Sequence, residues 1–326
     1  MLLKNLQGKI IVSLLIGLVV VIALSLFSDL RQVGAGFGRF VWAEVPLILG
    51  FTALNYVLRW LKWDYYLRRL ELGTGVSRGD SGLIFTAGMI MSVTPGKVGE
   101  VFKSYLLKRV NRTAITVSAP IVLAERLTDG LAMLLLMGLG LTLYQPAQPL
   151  FITLIVLTVV GIVIAQNRPL CELIVRWVAR LPLGNKIAPR LMTIYESTLR
   201  LLDWRVLTIS TLISFVSWGF ECVAFYYVLL GIHVPASPLL LLQATFIFAS
   251  STLFGLVSFL PGGLGASEVS STGMLVVMVG LNAGDAAVAT IIIRFCTLWF
   301  GVLLGIVALT WFGRRYQGEV ALEPSA

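Results

Sequence analysis

One histidine, His233, and three scattered cysteines, Cys171, Cys222 and Cys296, are all that this chain offers toward metal or thiol chemistry. No two cysteines have the close spacing of a zinc or redox motif, which excludes a disulfide framework and a cysteine metal site. Histidine-based nucleophilic or metal chemistry would have to rest on His233 alone. No GxSxG, HExxH, P-loop or dinucleotide fingerprint occurs either. On this reading there is no catalytic residue, no metal ligand and no cofactor to assign. Charge is also scarce, at 13% of residues, against about 25% in an average soluble domain. That shortage excludes a soluble globule. The net charge of +9 does not point to nucleic acid, because the basic residues sit in loops between apolar runs.

What the chain has in abundance is apolar sequence: 58% of residues are hydrophobic and the mean hydropathy is +0.92. Stretches of membrane-spanning length occur at 10–27, 44–62, 116–143, 150–166, 205–231 and 286–312. The first follows Lys4 and Lys9 and lacks a small-x-small cleavage site, so it reads as an uncleaved span. Two more apolar regions, 80–110 and 238–280, are each interrupted by a Pro-Gly break and read as re-entrant helical hairpins. The sequence therefore predicts an all-α integral membrane protein with about six full spans and two re-entrant hairpins. It forms one domain over 1–318, with halves at 40–166 and 205–312, an interfacial helical linker at 167–204 and a disordered tail at 319–326. Basic residues cluster on one side: Lys4, Lys9, Lys62, Arg68, Arg69, Arg78, Lys108, Arg109, Arg112, the arginines of 168–205, Arg314 and Arg315. The positive-inside rule then predicts cytoplasmic termini, with the two hairpins entering from opposite faces as an inverted repeat.

The two breaks share a pattern. SVTPGKVGE holds Pro95, Gly96, Lys97, Gly99 and Glu100; SFLPGGLGASE holds Pro261, Gly262, Gly263, Gly265 and Glu268. Each acid precedes an arginine by 26 residues, pairing Glu100 with Arg126 and Glu268 with Arg294. Proline and glycine break helices, and a break at membrane depth frees backbone groups for a polar solute. Charges retained in apolar sequence are costly, so each needs a partner or a wet cavity. The expectation is a central polar cavity in which Arg126 and Arg294 attract an anionic headgroup and Glu100 and Glu268 balance them. The glycines would let ligand or neighbouring helices approach the backbone. The helix N-termini after the breaks would add positive field toward an anion. The competing expectation is that both pairs are structural salt bridges. Lys97 is either a headgroup contact or a snorkelling interfacial lysine. Glu125 and Asp129, four residues apart, are either an ion or proton site or a solvated helix start. Glu221 is either a proton site or a buried hydrogen-bonded acid.

At TPGKVGE, AERLTD (residues 124–129) and LPGGLGASE the chain resembles the lysylphosphatidylglycerol synthase transmembrane-region family, also called flippase-like or UPF0104 proteins. The resemblance runs over residues 8 to 313. It implies movement of a lipid between leaflets, with an anionic lipid or polyprenyl-phosphate-linked sugar as cargo, in a bacterial inner membrane beside envelope-biosynthesis enzymes. A chain of 326 residues has no room for the soluble aminoacyl-transferase domain of the family's resistance factors, so a stand-alone translocator is expected. A membrane-embedded headgroup or glycosyl transferase, with Glu125 and Asp129 as its acids, and a non-transporting envelope-assembly partner are the alternatives. Oligomeric state is left open.

Overall fold

Side-chain caps start four of the described helices. Ser77, Asp203, Ser237 and Asn282 each accept a hydrogen bond from a backbone N–H of the following turn, at 2.9–3.1 Å. The computed structural model describes residues 30–94, 99–179 and 184–316, all of whose regular structure is helical. Short α1 (Leu30–Arg39) bends by 63° into the long α2 (Val45–Arg69). There follow α3 (Arg78–Gly88) with a 3-10 extension to Val93, α4 (Phe102–Asn111), α5 (Ile115–Leu139) and α6 (Gln148–Gln166). The linker forms α7 (Arg168–Ala179) and α8 (Gly184–Leu201). The second half holds α9 (Trp204–Gly231), α10 (Pro238–Val257) and α11 (Ala266–Met274) with a π-turn extension to Val279. Last come α12 (Ala283–Arg294) and α13 (Phe300–Arg315), joined by a π-turn over Phe295–Trp299.

Five helices among the described residues are long and apolar enough to cross a membrane: Gln145–Gln166, Trp204–Gly231, Pro238–Val257, Pro261–Val279 and Ala283–Arg315. Counting the bent α1–α2 pair as one span gives six. The protein is a multi-pass membrane protein. Both arms of the second broken element are therefore long and apolar enough to cross a membrane. The expected first span at 10–27, the tail, Pro95, Gly96 and Lys97 lie outside the described residues.

The contacts between elements are reciprocal. α2 packs along α9, the first helix of the other half; α3 packs along α13, and α10 along α5. Each broken element thus lies against the other half's long helix. The second break also meets the end of the 3-10 turn that precedes the first, since a Cβ placed on Gly262 would lie 3.5 Å from the Cα of Val93. The apolar core is continuous through α5, α9, α10 and α12, around Phe225, Phe246 and Met137. By contrast, α6 leaves Ile152, Val156, Leu157, Val160 and Val163 exposed, the surface a helix presents to lipid.

The chain's two ends of the bundle differ in charge. Asn111 donates to the Leu72 carbonyl at 2.9 Å, Gln166 to that of Leu202 at 3.2 Å, and Arg315 pairs with Asp80 at 3.0 Å. This end gathers Arg68, Arg69, Arg109, Arg200, Arg314 and Arg315 from the last turns of α2, α4, α8 and α13. At the other end Arg39 pairs with Asp285 at 2.9 Å and Gln243 donates to the Met278 carbonyl at 2.7 Å. The first broken element starts and finishes at the basic end; the second starts and finishes at the opposite end.

Candidate functional site

Gly262, Gly263 and Gly265 have φ of 61°, 68° and 89°, the left-handed region that glycine enters without a Cβ penalty. Close packing needs glycine here as well: a Cβ on Gly263 would stand 2.9 Å from the Cα of Gly255 on α10. After this turn α11 begins, and Glu268 in its first turn accepts from the Gly265 N–H at 2.7 Å. The positive end of α11 is thus occupied by the chain's own carboxylate. The other oxygen of Glu268 accepts from Arg294 Nε at 2.5 Å, and Arg294 Nη2 donates to the Gly262 carbonyl at 2.7 Å. One guanidinium from α12 therefore fastens both the break and the helix that follows it.

A cavity of about 90 Å³ opens on this cluster where α2, α9, α10 and α12 converge. That is room for several waters. Its charged walls are Arg59, Glu221 and Arg294, and serine and threonine hydroxyls from α10, α11 and α12 line much of the rest. Tyr56 donates its hydroxyl to the Thr297 carbonyl inside the π-turn. The same carbonyl accepts from the Phe300 N–H at the end of the turn, and Thr297 and Leu298 reach the cavity wall.

The first half holds a different arrangement, a closed network of six charges. Arg126 lies 3.0 Å from Glu100 and 3.2 Å from Asp129. Lys62 Nζ lies 2.6 Å from both Asp129 and the Ser214 hydroxyl of α9. Lys103 pairs with Glu125 between the rings of Trp63 and Phe85, 4.7 Å and 5.4 Å from their centroids. Three cations meet three carboxylates, all buried except for a partly exposed Arg126. Such a cluster must balance, because one uncompensated charge in an apolar interior costs several kcal/mol.

The profile of one family, the lysylphosphatidylglycerol synthase TM region, matches residues 10–305 of this chain. The chain belongs to that family. Among relatives, a UPF0104 membrane protein of Methanothermobacter thermautotrophicus is 25% identical over 301 residues, covering 84% of this chain and 86% of its own length. A second from the same organism is 25% identical over 321 residues, with 86% and 89% covered. A third, from Pyrococcus horikoshii, is 24% identical over 298 residues, with 81% and 86% covered. All three come from archaea.

In this family member the residues singled out from sequence separate into two places. Both acid–arginine pairs at 26-residue spacing form. Arg294, Gly262 and Glu221 share the cavity, with Glu268 behind Arg294. Arg126 does not line that cavity, nor do Glu100, Glu125 and Asp129. The two arginines thus do not face one common site. Glu125 and Asp129 are not a solvated helix start: they lie well inside α5, each against a lysine. They therefore offer no free pair of acids to a transferase. Gly99 closes its own break, donating to Thr94 Oγ1 at 3.0 Å. Lys62, read from sequence as a cytoplasmic loop cation, is fully buried inside α2. Arg59, Trp218 and Tyr56 were missed. Arg59 carried a usable signal, a cation inside an apolar stretch, but its neighbour Lys62 made both look like the basic end of a span.

Proposed function

We propose that the protein moves a lipid with an anionic headgroup between membrane leaflets, acting as a transporter rather than an enzyme. The headgroup passes through the polar cavity beside the second Pro-Gly break, while the acyl or prenyl chain stays in the surrounding lipid. One observation carries this reading: a hydroxyl-lined, charge-bearing cavity enclosed by helices whose outer faces are apolar. Such a cavity has no packing purpose, and its polar walls cost folding energy unless a polar guest or water satisfies them. The reciprocal packing supports an inverted repeat with both broken elements re-entrant, and the clustered arginines support cytoplasmic termini. The membrane is proposed to be the cytoplasmic membrane of the cell, and an envelope lipid or lipid-linked sugar is its proposed partner.

The test is leaflet exchange of labelled phosphatidylglycerol and phosphatidylcholine in vesicles containing the purified protein. Wild type is expected to accelerate exchange of the anionic lipid. Arg294→Gln, which unfastens Gly262 and leaves the Glu268 carboxylate without its cation beside the cavity, should lower that rate by about tenfold. Exchange equal to protein-free vesicles for anionic, zwitterionic and polyprenyl-phosphate lipids alike would reject translocation.

A further inference from the structure

We propose that α7 lies flat on the membrane surface at the basic end and grips anionic lipids there, a contact separate from the cavity. The proposal goes beyond the translocation reading and does not depend on it. Leu170, Leu173 and Trp177 stand at i, i+3 and i+7 on α7, which puts them on one face. All three are exposed, Trp177 by 63%. The helix is not bare all round. It packs along α8, and Cys171 and Val175 are half-buried. The apolar arc of α7 is thus wider than the protein covers, and water is a poor neighbour for the remainder.

The level of α7 is set by its neighbours. Two helices of spanning length end here, α6 at Gln166 and α9 at Trp204. Gln166 donates to the Leu202 carbonyl at 3.2 Å, so the two ends lie side by side and mark one membrane surface. Only Asn167 separates α6 from α7, and the Cys171 thiol reaches back to the Ile164 carbonyl at 3.5 Å. Charge names the kind of surface. Between 167 and 205, seven basic residues outnumber three acids. Glu172 neutralises Arg168 at 2.8 Å, but Arg176 has no carboxylate within salt-bridge distance among the described residues. At the α9 end Trp204 is 67% exposed, with the Arg205 guanidinium 5.3 Å from its ring centroid. An aromatic ring beside a guanidinium is a pairing that the headgroup region favours. An anionic leaflet answers the apolar stripe and the unpaired arginine together. In turn α8 packs along α5, the helix of the sealed charge network, so the seat of α7 on the leaflet steadies that half.

The experiment places a nitroxide at Leu173→Cys, Trp177→Cys or Arg176→Cys in the full chain carrying Cys171→Ser; Cys222 and Cys296 are buried. The probes are nanodiscs of phosphatidylcholine alone and of equal parts phosphatidylcholine and phosphatidylglycerol. In mixed discs the labels at 173 and 177 should collide with oxygen and be shielded from a water-soluble nickel chelate, and the label at 176 should show the reverse. In phosphatidylcholine alone the shielding should fall. Arg176→Gln should lower the ratio of shielded to exposed label at 173 about fivefold, in mixed discs only. A label at 173 open to the nickel chelate in both discs would overturn the proposal, and so would shielding that ignores lipid charge. Dipolar broadening between labels on two copies would overturn it too, by assigning the stripe to a second copy of this chain. Where a labelled variant unfolds early, amide hydrogen exchange of the unlabelled protein reads the same helix. There α7 should be better protected in mixed discs than in phosphatidylcholine, and equal protection would overturn the proposal.

Discussion

Lys62 illustrates how a single side chain is decided by its surroundings rather than by its type. Its ammonium is sealed against Asp129 and Ser214, and Asp129 in turn leans on Arg126. Removing one partner of a buried pair leaves the other charge uncompensated, at about 3–5 kcal/mol, whereas replacing both with apolar groups is often neutral. Lys62→Met should therefore strongly lower the thermal unfolding midpoint in detergent, and Lys62→Met combined with Asp129→Leu should restore most of it. A double variant as unstable as the single one would mean that the pair does more than neutralise itself. At this scale the sequence was legible where spacing was repeated: the 26-residue offsets led to Glu100–Arg126 and Glu268–Arg294, both of which form. It was not legible where the partner is distant and unrepeated. Lys62 and Asp129 are 67 residues apart, with no second copy to betray them.

At the scale of elements, close approach of α13 to the first break is what fixes one half against the other. A Cβ on Gly305 would stand 2.5 Å from the backbone nitrogen of Ile90 and 3.1 Å from its Cα. Backbone cannot step aside as a side chain can, so Gly305→Ala should destabilise by about 1–3 kcal/mol. Gly313, eight residues on in the same helix, meets nothing within 4 Å. Gly313→Ala should be neutral or slightly stabilising through helix propensity, and the two melting curves together test the contact rather than the glycine. The helices themselves were readable from apolar runs and capping residues. The end of α2 was not: Arg68 and Arg69 lie inside the helix, which runs to Arg69. Charge marks where membrane stops, not where a helix does. The π-turns over 275–279 and 295–299 have no signature in propensity; the second lends Thr297 and Leu298 to the cavity wall.

Across the whole molecule, a polar latch at the basic end joins the first half to the last helix. Asp80 accepts from the Ser77 hydroxyl at 2.6 Å and pairs with Arg315 at 3.0 Å. Burial alone would raise the Asp80 pKa, but hydrogen bonds from Ser77 and Tyr316 and the Arg315 charge outweigh it and hold the carboxyl below its usual 3.8. Burial pushes the neighbouring Tyr316 up to about 12, so it stays a donor. A depressed acid contributes stability above its unfolded pKa and loses it as pH falls through the folded one. Wild type should thus be more stable than Asp80→Asn near neutral pH, by under about 1 kcal/mol given the half-exposed arginine. The difference should close as pH drops below about 4, in thermal melts across pH. The two breaks and the acid–arginine pair that follows each were legible in the sequence. Their division of labour was not, because the motifs are alike and only packing makes one half a sealed network and the other a cavity.

That division has an electrical side. Around the cavity Arg59 and Arg294 stand against Glu221 and Glu268; in the sealed half, three cations stand against three acids. The sealed half sums to zero, so under the proposed translocation a rearrangement that carries that cluster through the bilayer moves no net charge of its own across the field. The charge of the cargo then weighs in the balance. For a singly charged headgroup, a potential of 100 mV is worth about 2.3 kcal/mol, enough by itself to give passage between leaflets a preferred direction.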